Sequence, residues 1–280
     1  MKDQILGFPK KPCLAVVKAG NDPASAVYVR NKERACKEVG IETRTYSLVE
    51  EAWTTEGVLS VVNDLNNDNS VNAILVQLPL PDGIDESKVI NAIDPAKDVD
   101  AFHPSNVAKL WLNEPCIKPC TPAGIMEILK SIDYQFDGKR AVVIGRSNIV
   151  GKPIAKLLMD AGCTVAICHS RTKMIKDITR NADLIVSAVG KAKFLDESYI
   201  TDWYHNTSGE YVKKSLKFPT IIDVGINRDG CNKLCGDVDF DSVEKYISAI
   251  TPVPGGVGVM TVTMLLKNTI ELFLMQESNE

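Results

Sequence analysis

A tyrosine and a lysine four residues apart, Tyr28 and Lys32, fall in a stretch of helical period, Ala24 to Val39, so both project from one helix face. Together they can line one pocket; on a solvated face the same pair would be a tyrosine beside a lysine reaching for water. Gln77 follows the strand-like run Ala73 to Val76 and precedes Leu78-Pro79-Leu80-Pro81. The two prolines predict a rigid, extended exit with a polar amide at the mouth of the strand. Farther on, Lys97-Asp98-Val99-Asp100-Ala101-Phe102-His103-Pro104 is a turn-like acidic segment that reads from its residues alone as a capped loop.

A second set of residues suits a phosphate. The run Ala141 to Ile144 leads into Gly145-Arg146-Ser147-Asn148-Ile149-Val150-Gly151-Lys152-Pro153, with a helix opening near Pro153. A strand, a glycine turn and a helix start in that order set a pyrophosphate against unpaired backbone N–H groups. The spacing is G-x5-G and not G-x-G-x-x-G, so the local pattern is shared with other strand-to-glycine turns. The next strand, Thr164 to Cys168, ends at His169-Ser170-Arg171-Thr172, without the acidic residue that would hold the ribose 2'-hydroxyl of NAD. Arg171 and Arg146 offer guanidinium donors to a 2'-phosphate instead, which favours NADP; the alternative is two solvated surface arginines. Ser187-Ala188-Val189-Gly190 and Asp223-Val224-Gly225-Ile226-Asn227 close two further strands, at the carboxyl ends where ligands enter an open parallel sheet.

Short β-branched runs alternating with helical stretches predict an α/β protein with largely parallel sheets. The strands expected are Cys13 to Val17, Glu42 to Ser47, Ala73 to Val76, Ala141 to Ile144, Thr164 to Cys168, Leu184 to Ser187 and Thr220 to Val224. Helices are expected over Ala24 to Val39, Glu56 to Asn66, Gly124 to Ile132 and Gly151 to Ala161. The proline-rich segment Pro115 to Pro122 breaks the alternation and marks a boundary between an N-terminal domain, 1–120, and a dinucleotide-binding domain, 121–260. A final helix, 261–275, carries a one-sided apolar pattern and is expected to pack back on the N-terminal domain. Asp202 to Lys217 mixes aromatic and charged residues without clear period, and the acidic tail Glu277 to Glu280 is expected to fray.

The 280 residues carry 32 basic and 36 acidic side chains, a formal net charge of -4, which provides no field for nucleic acid or an anionic membrane. No run approaches about 18 consecutive apolar residues, and the opening Met1 to Gly7 lacks a signal-peptide core, so a cytoplasmic protein is expected. The eight cysteines are diluted and read as reduced thiols. Cys116/Cys120 and Cys231/Cys235 share a C-x3-C spacing, wider than the usual zinc pair, and lie far apart, so no metal is expected.

Taken in order, Tyr28-x3-Lys32, Val76 to Pro81, Lys97 to Asp100, Pro119-Cys120-Thr121-Pro122, Gly145 to Pro153 and Thr251-Pro252-Val253-Pro254-Gly255-Gly256-Val257-Gly258 resemble the methylenetetrahydrofolate dehydrogenase/cyclohydrolase family, from about Pro12 to Asn268. The resemblance implies two α/β domains around a cleft, the C-terminal one Rossmann-like. It implies oxidation of 5,10-methylenetetrahydrofolate with NADP to the 5,10-methenyl cation, followed by hydrolysis to 10-formyltetrahydrofolate, in a homodimer built through the cofactor domain. By the same resemblance Lys32 is the principal catalytic residue and Gln77 its hydrogen-bonding companion. Tyr28 stacks on the aminobenzoyl ring, Asp100 holds the pterin edge, and Pro254, Gly255 and Gly256 complete the folate site. The cofactor falls to Gly145, Arg146, Ser147, Ile149, Gly151, Ser170, Arg171, Gly190 and Ile226. The partners implied are tetrahydrofolate one-carbon derivatives.

Three departures stand out. The family usually has glycine where this chain has Ala101; if that position needs a positive φ, alanine costs on the order of 1 kcal/mol. Val259 replaces a proline that pre-sets a helix start. The chain is expected to open just before its first strand, without the family's leading helix. Competing readings are a dehydrogenase that has lost its cyclohydrolase, a non-catalytic folate binder, and a shikimate-type dehydrogenase, which shares the architecture but lacks the Lys97 to Asp100 and Pro254 to Gly256 motifs.

Overall fold

The computed structural model describes residues 1–205, 208, 210–215 and 217–278. The chain divides into two compact units, Met1–Cys120 with Val262–Glu280, and Thr121–Thr261.

The first unit opens with a short helix, α1 (Lys2–Leu6), where the sequence suggested that the chain enters β1 directly. One buried residue, Ile5, anchors α1, which packs on α2; five residues with a single apolar contact give too weak a periodicity to detect. Then follow β1 (Cys13–Lys18), α2 (Pro23–Val39), β2 (Glu42–Ser47), α3 (Thr55–Asn67), β3 (Ala73–Val76), α4 (Glu86–Ala92) and α5 (Pro104–Leu112). The strands make a parallel sheet in the order β2-β1-β3, with Leu14 opposite both Thr43 and Ala73. Central β1, from Cys13 to Val17, and flanking β3 are apolar and buried at every position, as strands covered on both faces must be. In α2, Asp22 accepts the Ser25 N–H at 2.7 Å, Pro23 supplies a pre-set first turn, and Gly40 closes the helix at φ 96°. Val58, Val62 and Leu65 turn one stripe of α3 into the core beneath Ala15, Val17 and Ile74.

The second unit contains α6 (Cys120–Ser131), which starts at the unit boundary, then β4 (Arg140–Ile144), α7 (Gly151–Asp160), β5 (Thr164–Cys168), α8 (Ile175–Thr179), β6 (Leu184–Ser187), β7 (Thr201–His205), β8 (Tyr211–Ser215), β9 (Thr220–Asp223), β10 (Asn227–Arg228), β11 (Leu234–Cys235), α9 (Phe240–Val243) and β12 (Ala249–Ile250). Five of these strands form a parallel sheet, β12-β9-β6-β4-β5. Val142, Ile144, Ile185 and Ile221 fill one core beside Leu195 and Ile200.

The segment 202–217, expected to be irregular, instead holds the antiparallel hairpin of β7 and β8. Trp203 pairs with Lys213 and Tyr204 with Val212, and the Lys213 ammonium lies 5.8 Å from the Trp203 ring centre. Cross-strand cation–aromatic pairing places charged and aromatic residues opposite one another in this hairpin, which is why no period of two was visible. Residues 206, 207, 209 and 216 of that segment lie outside the described residues.

The last helix, α10 (Val257–Glu277), begins four residues earlier than expected and reaches its first turn without a proline at 259. By length and composition alone it could cross a membrane, yet Leu265, Leu266, Ile270, Leu272 and Phe273 are core residues of the first unit. Phe273 stacks at 5.1 Å on Phe8, and the Gln276 amide donates to the carbonyls of Asn72 and Ala96. Of the expected frayed tail, Glu277 ends the helix and residues 279–280 lie outside the described residues.

Candidate active site

In the first unit the chemistry gathers at the carboxyl ends of β1 and β3, where ligands of open parallel sheets sit. Ser25, Val29 and Cys36 form the buried stripe of α2, and Tyr28 and Lys32 flank it, both half-buried. Burial raises the Tyr28 phenol above the ordinary tyrosine range. The Lys32 Nζ donates to Gln77 Oε1 at 3.0 Å, so residues 45 positions apart meet as side chains. Gln77 is itself fixed twice: its backbone N–H donates to the Val17 carbonyl at 2.9 Å and its Nε2 to the Leu78 carbonyl at 2.7 Å. Only the carbonyl end of its amide is left to face the lysine. Tyr28 and Lys32 are therefore half-buried, and the Lys32 ammonium is tied to Gln77.

The four residues Lys97 to Asp100 divide their labour. The buried Lys97 extends its ammonium to the carbonyls of Leu65, Asn66 and Asp68 at 3.0, 2.8 and 2.8 Å, capping the C-terminus of α3. Burial holds that amine below the usual lysine range. Asp98 accepts the His103 N–H at 2.8 Å and the Asn106 Nδ2 at 3.0 Å, which fixes the entry to α5. Asp98 and Asp100 both line a small apolar recess with Ile74, Val76, Leu78 and Phe102, but only the Asp98 carboxylate is taken up by the start of α5. Burial pushes the Asp100 carboxyl upward, against the opposing pull of the Lys32 charge and the Cys120 thiol. The next residue, Ala101, does adopt a positive φ of 57° and is buried.

In the second unit the glycine turn after β4 is sterically committed. A methyl on Gly145, at φ 131°, would stand 2.4 Å from the Ala188 carbonyl oxygen, and one on Gly151 would stand 2.4 Å from that of Gly145. The turn thus packs against the loop after β6, bringing Gly145 and Gly190 to one edge of the sheet. The helix start differs from the expectation of unpaired donors. Ser147 Oγ accepts the Val150 and Gly151 N–H groups at 3.2 Å, and its carbonyl accepts that of Lys152. Ser147 is therefore the local cap of α7, a part its position in the turn did not reveal. Arg146, Ile149, Ser170, Arg171, Gly190 and Ile226 are exposed around this edge. Neither Arg146 nor Arg171 lies within ion-pair distance of a carboxylate among the described residues. A tight backbone turn, an open Gly190 with no atom within 4 Å of an added methyl, and two available guanidinium groups fit NADP. Pro254, Gly255 and Gly256 belong to this second unit, with Gly255 in a left-handed turn at φ 104°.

Two buried aspartates behind this edge escaped the sequence reading. Asp237 accepts the N–H groups of Val189, Gly190 and Lys191 at 2.6, 3.2 and 3.0 Å, and the Asn227 amide at 2.9 Å, so an internal carboxylate shapes the loop carrying Gly190. Asp223 accepts from Gly225, Asp237 and Val238, and burial raises its carboxyl to about 6. A signal was available: Gly225 and Gly236 leave no room for a methyl beside Asp237 and Asp223 respectively. Among the described residues no cluster of His, Cys, Asp or Glu could hold a metal, and all eight cysteines are free.

A parallel α/β unit with a committed glycine turn and free arginines, joined to a second α/β unit bearing a lysine–glutamine pair, defines a nicotinamide-nucleotide-dependent enzyme. The comparisons with known proteins narrow that class. Residues 2–100 match the tetrahydrofolate dehydrogenase/cyclohydrolase catalytic domain, and residues 119–277 match the NAD(P)-binding domain of the same family. The chain belongs to the tetrahydrofolate dehydrogenase/cyclohydrolase family. It is 51% identical over 274 residues to the bifunctional protein FolD of Agathobacter rectalis, covering 97% of this chain and 92% of that one. It is similar to the crystal structure of the bifunctional FolD enzyme of Campylobacter jejuni, with a TM-score of 0.88 at 44% identity, over 97% and 91% of the two chains. It is also similar to the Trypanosoma brucei enzyme complexed with NADP and an inhibitor, with a TM-score of 0.87 at 35% identity, over 98% and 92%.

Proposed function

We propose that Lys32, Gln77, Tyr28 and Asp100 carry the folate chemistry of this bifunctional enzyme, and that Arg146 and Arg171 select NADP. The reaction oxidises 5,10-methylenetetrahydrofolate to the 5,10-methenyl cation and hydrolyses that cation to 10-formyltetrahydrofolate. Bound NADP supplies the hydride acceptor, held by the Gly145 to Gly151 turn and the Gly190 loop. For hydride transfer the chain's own contribution is alignment, with Asp100 accepting two N–H bonds from the 2-amino-4-oxopyrimidine edge and Tyr28 packing against the aminobenzoyl ring.

Hydrolysis asks for more. One water adds to the methenyl carbon, the bond from that carbon to N5 breaks, and one proton is released. The observation that supports the reading is the 3.0 Å bond from Lys32 Nζ to Gln77 Oε1, because it holds a single amine in a fixed orientation. Gln77 orients Nζ, and Nζ handles the proton. The position of β5 at the free edge of its sheet, with Ile167 exposed, supports a homodimer formed through the cofactor unit, and the acidic charge balance suits a cytoplasmic enzyme.

The test follows methenyl absorbance and NADPH in parallel. Lys32→Met is expected to abolish the cyclohydrolase while hydride transfer stays detectable; equal, modest losses in both steps would sink the assignment. Arg171→Ala is expected to narrow the preference for NADP over NAD, and an unchanged preference clears Arg171 of the 2'-phosphate.

A further inference from the structure

The peptide between Val99 and Asp100 is gripped by a residue distant in sequence. Asn268, on α10 and only 4% exposed, donates its Nδ2 to the Val99 carbonyl at 2.9 Å and to the Lys118 carbonyl at 2.9 Å. Its two amide hydrogens are thereby used, and the same nitrogen lies 3.5 Å from Cys120 Sγ. The Cys120 thiol in turn points at the Val99 carbonyl, 3.6 Å away. The carbonyl of Val99 shares a rigid peptide plane with the nitrogen of Asp100, so holding that oxygen fixes the plane from which the Asp100 side chain departs.

The other bonds around this segment leave that plane as the one undetermined element. Lys97 is pinned by the Ile74 N–H to its carbonyl at 2.7 Å, Asp98 by His103 and Asn106, and Ala101 by its own N–H to the Asp98 carbonyl at 3.2 Å. Val99 reaches β3 only through a long 3.5 Å bond from its N–H to Ile74. With a left-handed Ala101 on one side of Asp100 and a weak strand contact on the other, Asn268 supplies the shortest remaining constraint, two amide bonds of 2.9 Å beside the longer 3.6 Å contact of the Cys120 thiol.

We propose that Asn268 is a positioning residue for Asp100: by clamping the Val99 carbonyl it aims the carboxylate at the folate, so the C-terminal helix takes part in substrate recognition. The inference rests on the reading of Asp100 as the folate-holding residue. It is separable from that reading, because Asn268 need not touch the ligand.

The experiment is a double-mutant cycle on the full chain, with Asn268→Ala, Asp100→Ala and the pair, measuring KM for methylenetetrahydrofolate and for NADP separately. Asn268→Ala is expected to raise the folate KM about tenfold, about 1.4 kcal/mol, and to leave the NADP KM within about twofold. In the Asp100→Ala background the same substitution should add less than about twofold to the folate KM, since the group it aims is gone. Full additivity, or an equal rise in both KM values, overturns the inference and makes Asn268 a general packing residue. If Asp100→Ala leaves the folate KM unchanged, the reading of Asp100 falls and the inference with it. Should Asn268→Ala fail to fold, Asn268→Ser keeps one hydroxyl donor and is read by the same criteria, with a smaller rise.

Discussion

Replacing Lys97 by methionine separates the scaffold from the chemistry within four adjacent residues. The lysine is buried, and its ammonium makes three bonds of 2.8 to 3.0 Å to the last carbonyls of α3. Hydrogen bonds to a charged group contribute about 1.5 to 3 kcal/mol each. Their sum overstates the loss, because methionine keeps the apolar stem and no longer needs an ammonium to be dehydrated, the same cost that holds the Lys97 amine below its usual range. A net destabilisation of about 2 to 4 kcal/mol remains, with the three carbonyls of α3 left to water. For a unit of this size that lowers the unfolding midpoint by roughly 5 to 12 °C. Asp100 should keep its place, since the backbone bonds of residue 97 do not involve the side chain. The assay pairs thermal unfolding with kcat/KM for NADP-dependent oxidation at 25 °C. Midpoint loss with kcat/KM within about threefold fits the geometry. An unchanged midpoint with a loss beyond about tenfold would refute it and put Lys97 in the reaction.

Ala101→Gly should be close to neutral. Relief of the left-handed backbone, about 1 to 2 kcal/mol, is offset by the lost burial of a methyl, about 0.8 kcal/mol, and by the greater freedom of glycine in the unfolded chain, about 0.4 to 1 kcal/mol. A midpoint gain above about 6 °C in thermal unfolding would show strain beyond what the dihedral implies. Asp223 should give the second unit a pH signature. Its carboxyl rises from 3.8 to about 6 on folding, so its contribution is fully present below pH 3.8 and is lost as pH rises to about 6, up to about 3 kcal/mol. Asp223→Asn should flatten unfolding stability across that window, and an identical slope in both proteins would remove Asp223 as its source.

The contrast between the two aspartates of Lys97-Asp98-Val99-Asp100 shows where sequence reading stops. Both are acidic and adjacent to a turn, and nothing in their spacing separates an Asp98 bound to the start of α5 from an Asp100 left beside the Lys32 charge and the Cys120 thiol; the hydrogen bonds of His103 and Asn106 do. The hairpin of β7 and β8 was illegible for a related reason, since charged and aromatic residues are paired across its strands. The leading helix α1 was too short to leave a period.

What the sequence by itself determined is local. Short runs that alternate with capped helical stretches specify seven of the parallel strands within a residue or so, though not the two-residue β12, because strand burial and helix caps depend on neighbours in the chain. Gly40 and Gly145 likewise declared turns that only glycine tolerates. The tertiary structure decided everything that depends on distant side chains meeting: Lys32 with Gln77, Asp237 with the Gly190 loop, and Asn268 with the carbonyl beside Asp100. Those contacts span tens to more than a hundred positions, and no periodicity encodes a hydrogen bond between residues that only folding brings within 3 Å.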